Sequence, residues 1–487
     1  MLKATELRES DILVVSPEYR IRPNGYSSII YPFDAEDASS WRSMPAVAGV
    51  VLTLLDGRRT NHEVAKDLES LLGLDVDKAK ELLEFLIAHS NSESGKEYLF
   101  HYTPDNGKQS FSTYPTLRFL EKLKGNSLTD IPQGAKLEAP LTLILMPTNS
   151  CDVSCRYCYA EKNGPPPNDM LSLSRWFEII DEAASLEIVA HTFSGGDPLT
   201  YPGIDLLLER MALYGMKFLL PTKSFISKEQ AARFRDIGMK ELVTIQISVD
   251  GVSPVIDELV GSADYANRAF ASIKNLAEEG FYVRTNTVCT PLNYREMPDL
   301  ARKLHDLGVK RASITNYARS FYRHDESLFL NEEQIRWVNE QVSMTGTDLN
   351  WDDLRANAAI RDFSVPDREE QLAGWKDRAY CSGGKSCMVI TPNGDVVLCE
   401  QVPQKAPFVV GSLRDHSIME AWNSPEIDTF VHPSRELFKG TECEECDEFD
   451  ECHAVYGRCF RDAYFTYRNL YAPSPNCPKA PPGFRMS

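Results

Sequence analysis

Three cysteines, Cys151, Cys155 and Cys158, follow the apolar run LTLILM with the spacing Cys-x3-Cys-x2-Cys, and Tyr157 stands just before the third. Three thiolates on one short loop can hold three irons of a four-iron cluster and leave the fourth iron without a protein ligand. Such an iron is open to a substrate or a cofactor. A zinc knuckle is the alternative, although zinc sites usually pair their cysteines as Cys-x2-Cys. The C-terminal part carries Cys381-x5-Cys387-x11-Cys399, then Cys443-x2-Cys446-x5-Cys452-x6-Cys459, and finally Cys477. Four thiolates saturate one four-iron cluster, so these eight suffice for two, with zinc or disulfides as the other reading. One cysteine of the twelve is left over, Cys289 at the end of the run VRTNTV. A lone cysteine is ordinarily a small buried hydrophobe.

These residues need elements to hold them. From Leu141 the runs LTLILM, VAHTF, KFLLP, LVTIQIS, FYVRTNTV and KRASI alternate with amphipathic stretches such as WFEIIDEAASL and ANRAFASIKNLAEEG. Repeated strand-helix units predict a parallel sheet, and about six of them can curl into an incomplete barrel over residues 139–325. The cysteine trio then lies at the carboxyl end of the first strand, where parallel barrels place their chemistry. Residues 326–380 read as a helical bridge. Residues 381–487 are irregular and rich in Cys, Pro and charge, which predicts order imposed by bound metal, with a hairpin turn at Asn393-Gly394.

Ahead of the barrel, residues 1–92 show strand signals near Ile12–Val15, Tyr19–Arg22 and Ser28–Tyr31, then three helices. Thr60 and Glu63 form a capping box for the second helix, which stops near Gly73. Residues 93–138 are polar and turn-rich, with one amphipathic stretch at 116–123, and read as a linker. Asp and Glu outnumber Lys and Arg by 71 to 52, a formal charge of -19, which disfavours a phosphate-binding surface and excludes nucleic acid as an expected partner. No apolar run approaches the ~18 residues of a membrane span, and MLKATELRES holds no signal core, so a cytoplasmic protein without a membrane partner is expected.

The cysteine loop, with its aromatic residue before the last cysteine, resembles the signature of the radical S-adenosylmethionine superfamily. That resemblance implies a cluster on Cys151, Cys155 and Cys158, with S-adenosylmethionine chelating the open iron and Tyr157 beside the adenine. Splitting the cofactor yields a 5'-deoxyadenosyl radical that abstracts hydrogen from substrate. Ser194-Gly195-Gly196-Asp197-Pro198 resembles the family's Gly-Gly-Glu motif, which implies contact with the methionine amino group through backbone and carboxylate. Ser248-Val249-Asp250-Gly251 resembles its Ser-x-Asp-Gly segment, in which the serine helps bind the cofactor. Where many relatives carry His-Asp and then a carboxylate-binding Arg, this chain has Ile256, Asp257 and Val260. Lys223, Arg268 and Arg284 are the candidate substitutes.

The C-terminal cysteines resemble the SPASM extension of peptide-modifying radical enzymes, giving three four-iron clusters in all. By that resemblance Cys381, Cys387, Cys399 and Cys459 bind the first auxiliary cluster, and Cys443, Cys446, Cys452 and Cys477 the second. The spacing around Cys459 departs from the usual pattern; without it, an open iron would be free for a substrate thiol. Glu400 occupies the place of an Asp base in sulfatase-maturing relatives. The 1–92 segment resembles the winged-helix-like PqqD-type recognition domain, in which a leader peptide adds to the third strand and packs on the third helix. This points to Ser27–Pro32 and the Val76–His89 helix. The expected fold is therefore α/β: a partial (β/α)6 TIM-type radical SAM barrel between a PqqD-like domain and an iron-sulfur SPASM domain. The expected partners are a precursor peptide and a reductant such as flavodoxin or ferredoxin. The expected reaction is thioether crosslinking of the peptide. Carbon-carbon crosslinking, formylglycine formation and a non-catalytic electron-transfer or peptide-binding role are the alternatives, and Cys289 as a hydrogen-atom donor is a minor one.

Overall fold

A computed structural model describes residues 8–33, 41–90, 99–102, 116–123, 135–161, 169–188, 190–356, 374–375, 378 and 380–481. The chain divides into two compact units, residues 1–139 and 140–487.

The first unit opens with β1 (Ile12–Val15), β2 (Tyr19–Asn24), β3 (Ser27–Pro32) and β4 (Arg42–Pro45). There follow α1 (Ala46–Leu54), β5 (Asp56–Thr60), α2 (Asn61–Leu72), α3 (Val76–Ser90), β6 (Leu99–Tyr102) and α4 (Thr116–Lys122). The capping box at α2 is present in full: the Thr60 side chain accepts from the Glu63 amide while the Glu63 carboxylate accepts from the Thr60 amide. Leu13, Ile21, Ile30, Val50, Leu54, Val64, Leu68, Ala79 and Phe119 form one core. Two features differ from the sequence expectation. The 93–138 linker supplies β6, which pairs with β1, and α4, whose Phe119 is 1% exposed within that core. The polar composition around them concealed both elements.

The second difference corrects the docking strand. The sheet order is β2-β3-β4, so Ser27–Pro32 is central and paired on both sides, with Ile29 opposite Arg22 on one and Ser43 on the other. A strand with both ladders filled has no edge to offer. The third strand of this sheet is Arg42–Pro45, half-buried throughout, which four residues ending in proline did not signal as a strand.

The second unit is built on a ten-stranded sheet. Six parallel strands form its centre: β7 (Thr142–Leu145), β8 (Ala190–Phe193), β9 (Lys217–Thr222), β10 (Val243–Ser248), β11 (Val283–Cys289) and β12 (Arg311–Asn316). Helices α5 (Leu173–Ser185), α6 (Ile204–Leu213), α7 (Lys228–Asp236), α8 (Val255–Val260), α9 (Tyr265–Glu278) and α10 (Met297–Asp306) make the crossovers. The expected strand-helix alternation is thus present. Both ends of the sheet are extended. Helix α11 (Glu332–Leu349) leads into β13 (Leu354–Ala356), a seventh strand parallel to β12, so the 326–380 segment is not purely helical. At the other end β14 (Cys387–Ile390) pairs in parallel with β7 and turns through Gly394 into β15 (Asp395–Val397) and β16 (Gly411–Ser412).

Candidate active site

Strand alternation decides which side chains face the chemistry. On β10, Val243, Ile245 and Ile247 are buried in the core while Gln246 and Ser248 border a cavity of about 340 Å³. On β11, Asn286 and Val288 border it and Cys289, on the opposite face, is fully buried in the core. Burial pushes the Cys289 thiol up to about 12. It is a packing residue, as the sequence favoured. The cavity size falls within the ~300–1,000 Å³ of small-molecule and cofactor sites.

All three loop cysteines border this cavity, together with Tyr157, Gly195, Gly196, Asp197, Ser248 and Asp250. The loop is clamped from two sides. The amides of Ser154 and Arg156 donate to the carbonyls of Val260 and Leu259 at the end of α8, each at 2.9 Å. The amides of Gly196 and Asp197 donate to the carbonyls of Thr148 (2.9 Å) and Ser150 (2.7 Å). Gly196 is needed for that second clamp, because a Cβ there would lie 2.1 Å from the Ser150 carbonyl oxygen. The glycine pair therefore brings its own main chain against the cysteine loop. Gly195 adopts φ +96°, a conformation that side chains oppose.

The acidic residue of that motif is committed to the protein. Asp197 is 5% exposed, and its carboxylate accepts from Thr222 Oγ1 (2.8 Å) and from the amides of Leu199 (3.1 Å), Lys223 (2.7 Å) and Ser224 (2.9 Å). It ties the turn after β8 to the loop after β9. Despite these donors, burial raises its pKa from the ordinary aspartate value.

Asp250 anchors a buried polar group on the opposite wall. Its Oδ2 accepts from the Tyr157 hydroxyl and from Lys223 Nζ at 3.0 Å, and its Oδ1 accepts from the Val288 amide at 2.9 Å. The Lys223 side chain is 12% exposed, borders the cavity, and lies 5.6 Å from the Tyr157 ring centroid. Burial alone would depress its ammonium, but Asp250, with Tyr265 and Cys155, more than offsets that and keeps it charged. The other two candidate cations are elsewhere: Arg268 bonds the Ser262 hydroxyl and Arg284 bonds Gln246. Ile256 and Val260 lie in the core, and Asp257 accepts from the amides of Asp264 and Tyr265. Arg319 and Tyr159 also border the cavity and were not singled out from the sequence, and Ser194, named with the glycine motif but given no role of its own, borders it too. They sit on loops beyond the strand ends, where periodicity carries no signal.

Glu400 is half-buried and accepts from the Ser194 hydroxyl, which lies 3.4 Å from the Tyr159 hydroxyl. Burial raises its pKa, against the hydrogen bonds from Ser194 and Tyr159. The carboxyl directly after Cys399 thus touches the cavity wall. This is not the solvated charge that composition alone would suggest.

All twelve cysteines are free thiols, which removes the disulfide reading of the C-terminal set. Electrostatic contacts sort the eight into two quartets. Cys387 faces Cys381 and Cys399, and Cys381 also faces Cys459. Cys443 faces Cys446, Cys452 and Cys477. Burial pushes Cys399 and Cys443 each up to about 12. Among the described residues no three His, Cys, Asp or Glu side chains converge tightly enough for a single metal ion. A polynuclear cluster, with each thiolate on a different iron, suits this wider spacing.

Residues 145–315 match the radical SAM superfamily, and residues 381–450 match SPASM, an iron-sulfur cluster-binding domain. The chain is a radical SAM enzyme with a SPASM domain, a class that uses S-adenosylmethionine and iron-sulfur clusters. Its relatives include the mycofactocin maturase MftC of Mycobacterium ulcerans (strain Agy99), 23% identical over 70% of this chain and 88% of that protein. Another is the PqqA peptide cyclase of Methylorubrum extorquens (strain PA1), 25% identical over 71% of this chain and 86% of the cyclase. The fold is that of Streptococcus suis SuiB, solved with its precursor peptide SuiA bound. The two align with a TM-score of 0.64 at 17% identity, over 95% of this chain and 98% of SuiB.

Proposed function

We propose that this enzyme matures a ribosomally made precursor peptide by crosslinking it. The observation that carries the reading is the pairing of a cysteine-lined cavity with two thiol quartets, the first of which reaches the cavity wall through Cys399 and Glu400. Cys151, Cys155 and Cys158 would hold a cluster with one open iron, and the two quartets would hold auxiliary clusters, three in all. When bound, cluster and S-adenosylmethionine supply a 5'-deoxyadenosyl radical for hydrogen abstraction. Lys223 is the cavity cation suited to the cofactor carboxylate, and Ser248 the hydroxyl suited to its polar end. The relatives named as a peptide cyclase and a maturase support a peptide substrate.

Each new link removes two hydrogens from the peptide, one as an atom and one as a proton plus an electron. Glu400, hydrogen-bonded at the cavity wall and with its pKa raised by burial, would take that proton, and an auxiliary cluster would be the acceptor for the electron. The bond we favour is a thioether. Carbon-carbon linkage is the second reading, supported by Cys459 standing beside Cys381, which supplies a fourth thiolate where an open iron would otherwise receive a substrate thiol.

The first unit is proposed to hold the leader. The edge suited to strand addition is Arg42–Pro45, in place of Ser27–Pro32. Tethering the leader raises the effective concentration of the core peptide at the cavity. The test is co-expression with short candidate peptides followed by mass measurement and thiol alkylation. Loss of two hydrogens per link with one cysteine blocked from alkylation supports a thioether. The same loss with all cysteines reactive supports carbon-carbon linkage. Unchanged peptide mass with every candidate counts against crosslinking.

A further inference from the structure

The two quartets are chemically alike but sit in opposite surroundings. Arg378 Nη2 donates to Cys452 Sγ at 3.1 Å, and Lys479 Nζ donates to Cys446 Sγ at 3.3 Å. Arg378 is held in place by a bond to the Trp375 carbonyl and by packing over the Trp375 ring, 3.8 Å from its centroid, and the Tyr456 ring, 4.6 Å. Arg458, 8% exposed, faces Cys443 and Cys452 and also Cys459 of the other quartet, so it does not distinguish the two. The other quartet has carboxylates as neighbours. Glu400 faces Cys387 and Cys399, Asp462 faces Cys459, and Arg461 opposes them at Cys399. Lys385 faces Cys381 and Cys452 and so favours neither.

A four-iron cluster gains one negative charge on reduction, so cations and N–H donors at its sulfurs stabilise the reduced form and raise its potential. Nearby carboxylates do the reverse. One effect runs the other way: Glu442, Glu445, Asp447, Asp450 and Glu451 are exposed around the Cys443 quartet, and Glu444 and Glu448 are half-buried there, Glu444 accepting from the Gly440 amide and Glu448 facing Lys479. Exposed charges are screened by water and salt and act weakly on a neighbouring charge. A charged donor in direct contact with a sulfur acts without that screening and dominates.

We propose that Arg378 and Lys479 make the cluster on Cys443, Cys446, Cys452 and Cys477 the higher-potential auxiliary centre. An electron shared between the quartets settles there, reducing that cluster and leaving the one beside Glu400 oxidised. This rests on the reading that both quartets bind four-iron clusters.

The test is a potentiometric titration of the fully loaded enzyme followed by electron paramagnetic resonance. Cys387→Ala and Cys446→Ala identify which signal belongs to which quartet. The Cys443-quartet signal is expected at the higher midpoint. Lys479→Gln and Arg378→Gln are each expected to lower it by about 59 mV, a tenfold fall in the reduced-to-oxidised ratio at fixed potential for a one-electron couple, while the other signals stay in place. Two different cation variants guard against one of them misfolding. A loaded Cys443 quartet whose midpoint is the lower of the two, or is unmoved by both variants, overturns the inference and leaves the ligand assignment standing. Iron and sulfide contents too low for two auxiliary clusters overturn the ligand assignment, and the inference with it.

Discussion

Lys223 and Asp250 show how one buried pair can shape a cofactor cavity. The Asp250 side chain is 1% exposed and carries a carboxylate that Lys223 neutralises at 3.0 Å. Removing one partner of a buried pair leaves the other charge unmet, at a cost of about 3–5 kcal/mol. Lys223→Met is therefore expected to lower unfolding stability by that order and to weaken S-adenosylmethionine binding. The double variant Lys223→Met/Asp250→Asn should recover much of the stability and none of the binding. Denaturant melts and equilibrium dialysis on the loaded protein separate the two effects. Equal loss of stability in the single and double variants would contradict the pairing. Glu400 is open to a comparable check. Glu400→Gln should slow peptide product formation on the order of 100-fold while cofactor cleavage continues, the range expected for a lost general base.

At the scale of elements, β4 and β8 carry the clearest expectations. Central β3 is paired on both sides, whereas β4 lies at the edge of its sheet. Adding a leader peptide should therefore slow hydrogen-deuterium exchange at Arg42–Pro45 and leave Ser27–Pro32 as protected as before. New protection confined to β1 or β6 would refute this docking mode. On β8, His191 is 1% exposed, its Nε2 bonds the Ile188 carbonyl at 3.0 Å, and burial lowers its pKa to about 4. Between about pH 6.5 and 4 the unfolded chain binds a proton that the folded chain refuses, so stability falls as pH drops through that window and levels off below it. The full loss is on the order of 3 kcal/mol. His191→Met should flatten that part of the stability profile in denaturant melts, and an unchanged slope would contradict it.

Much of this architecture was legible from periodicity and punctuation. The β1, β2 and β3 ranges, the Thr60–Glu63 cap and the alternation that puts Ser248 toward the cavity all follow from local pattern. Strand β4, strand β13 and the packing of Phe119 do not, because short edge elements take their stability from partners distant in sequence. The same holds in the cavity. The cysteine spacing announced a cluster, but Asp197 turned out to be spent on the 222–224 loop, and Ser194 reaches Glu400 only through the fold.

For the whole molecule, the sheet that carries the cysteine loop is continuous with the hairpin that leads to Cys399. Strand β14 continues the barrel sheet past β7 with Val389 beside Ile144, so the cavity and the first auxiliary quartet share one rigid frame. Burial pushes up the thiols of Cys387, Cys399 and Cys459 in one quartet and of Cys443, Cys452 and Cys477 in the other, so metal loading must release their protons. The central claim is that this frame presents an iron with a vacant position to S-adenosylmethionine. The most direct measurement is 5'-deoxyadenosine release by anaerobically loaded protein given dithionite and S-adenosylmethionine. Release by the wild type, with none from a Cys155→Ala variant that keeps its auxiliary iron, is the predicted result. No release from a wild-type protein whose Cys151–Cys158 loop holds a full cluster would contradict it.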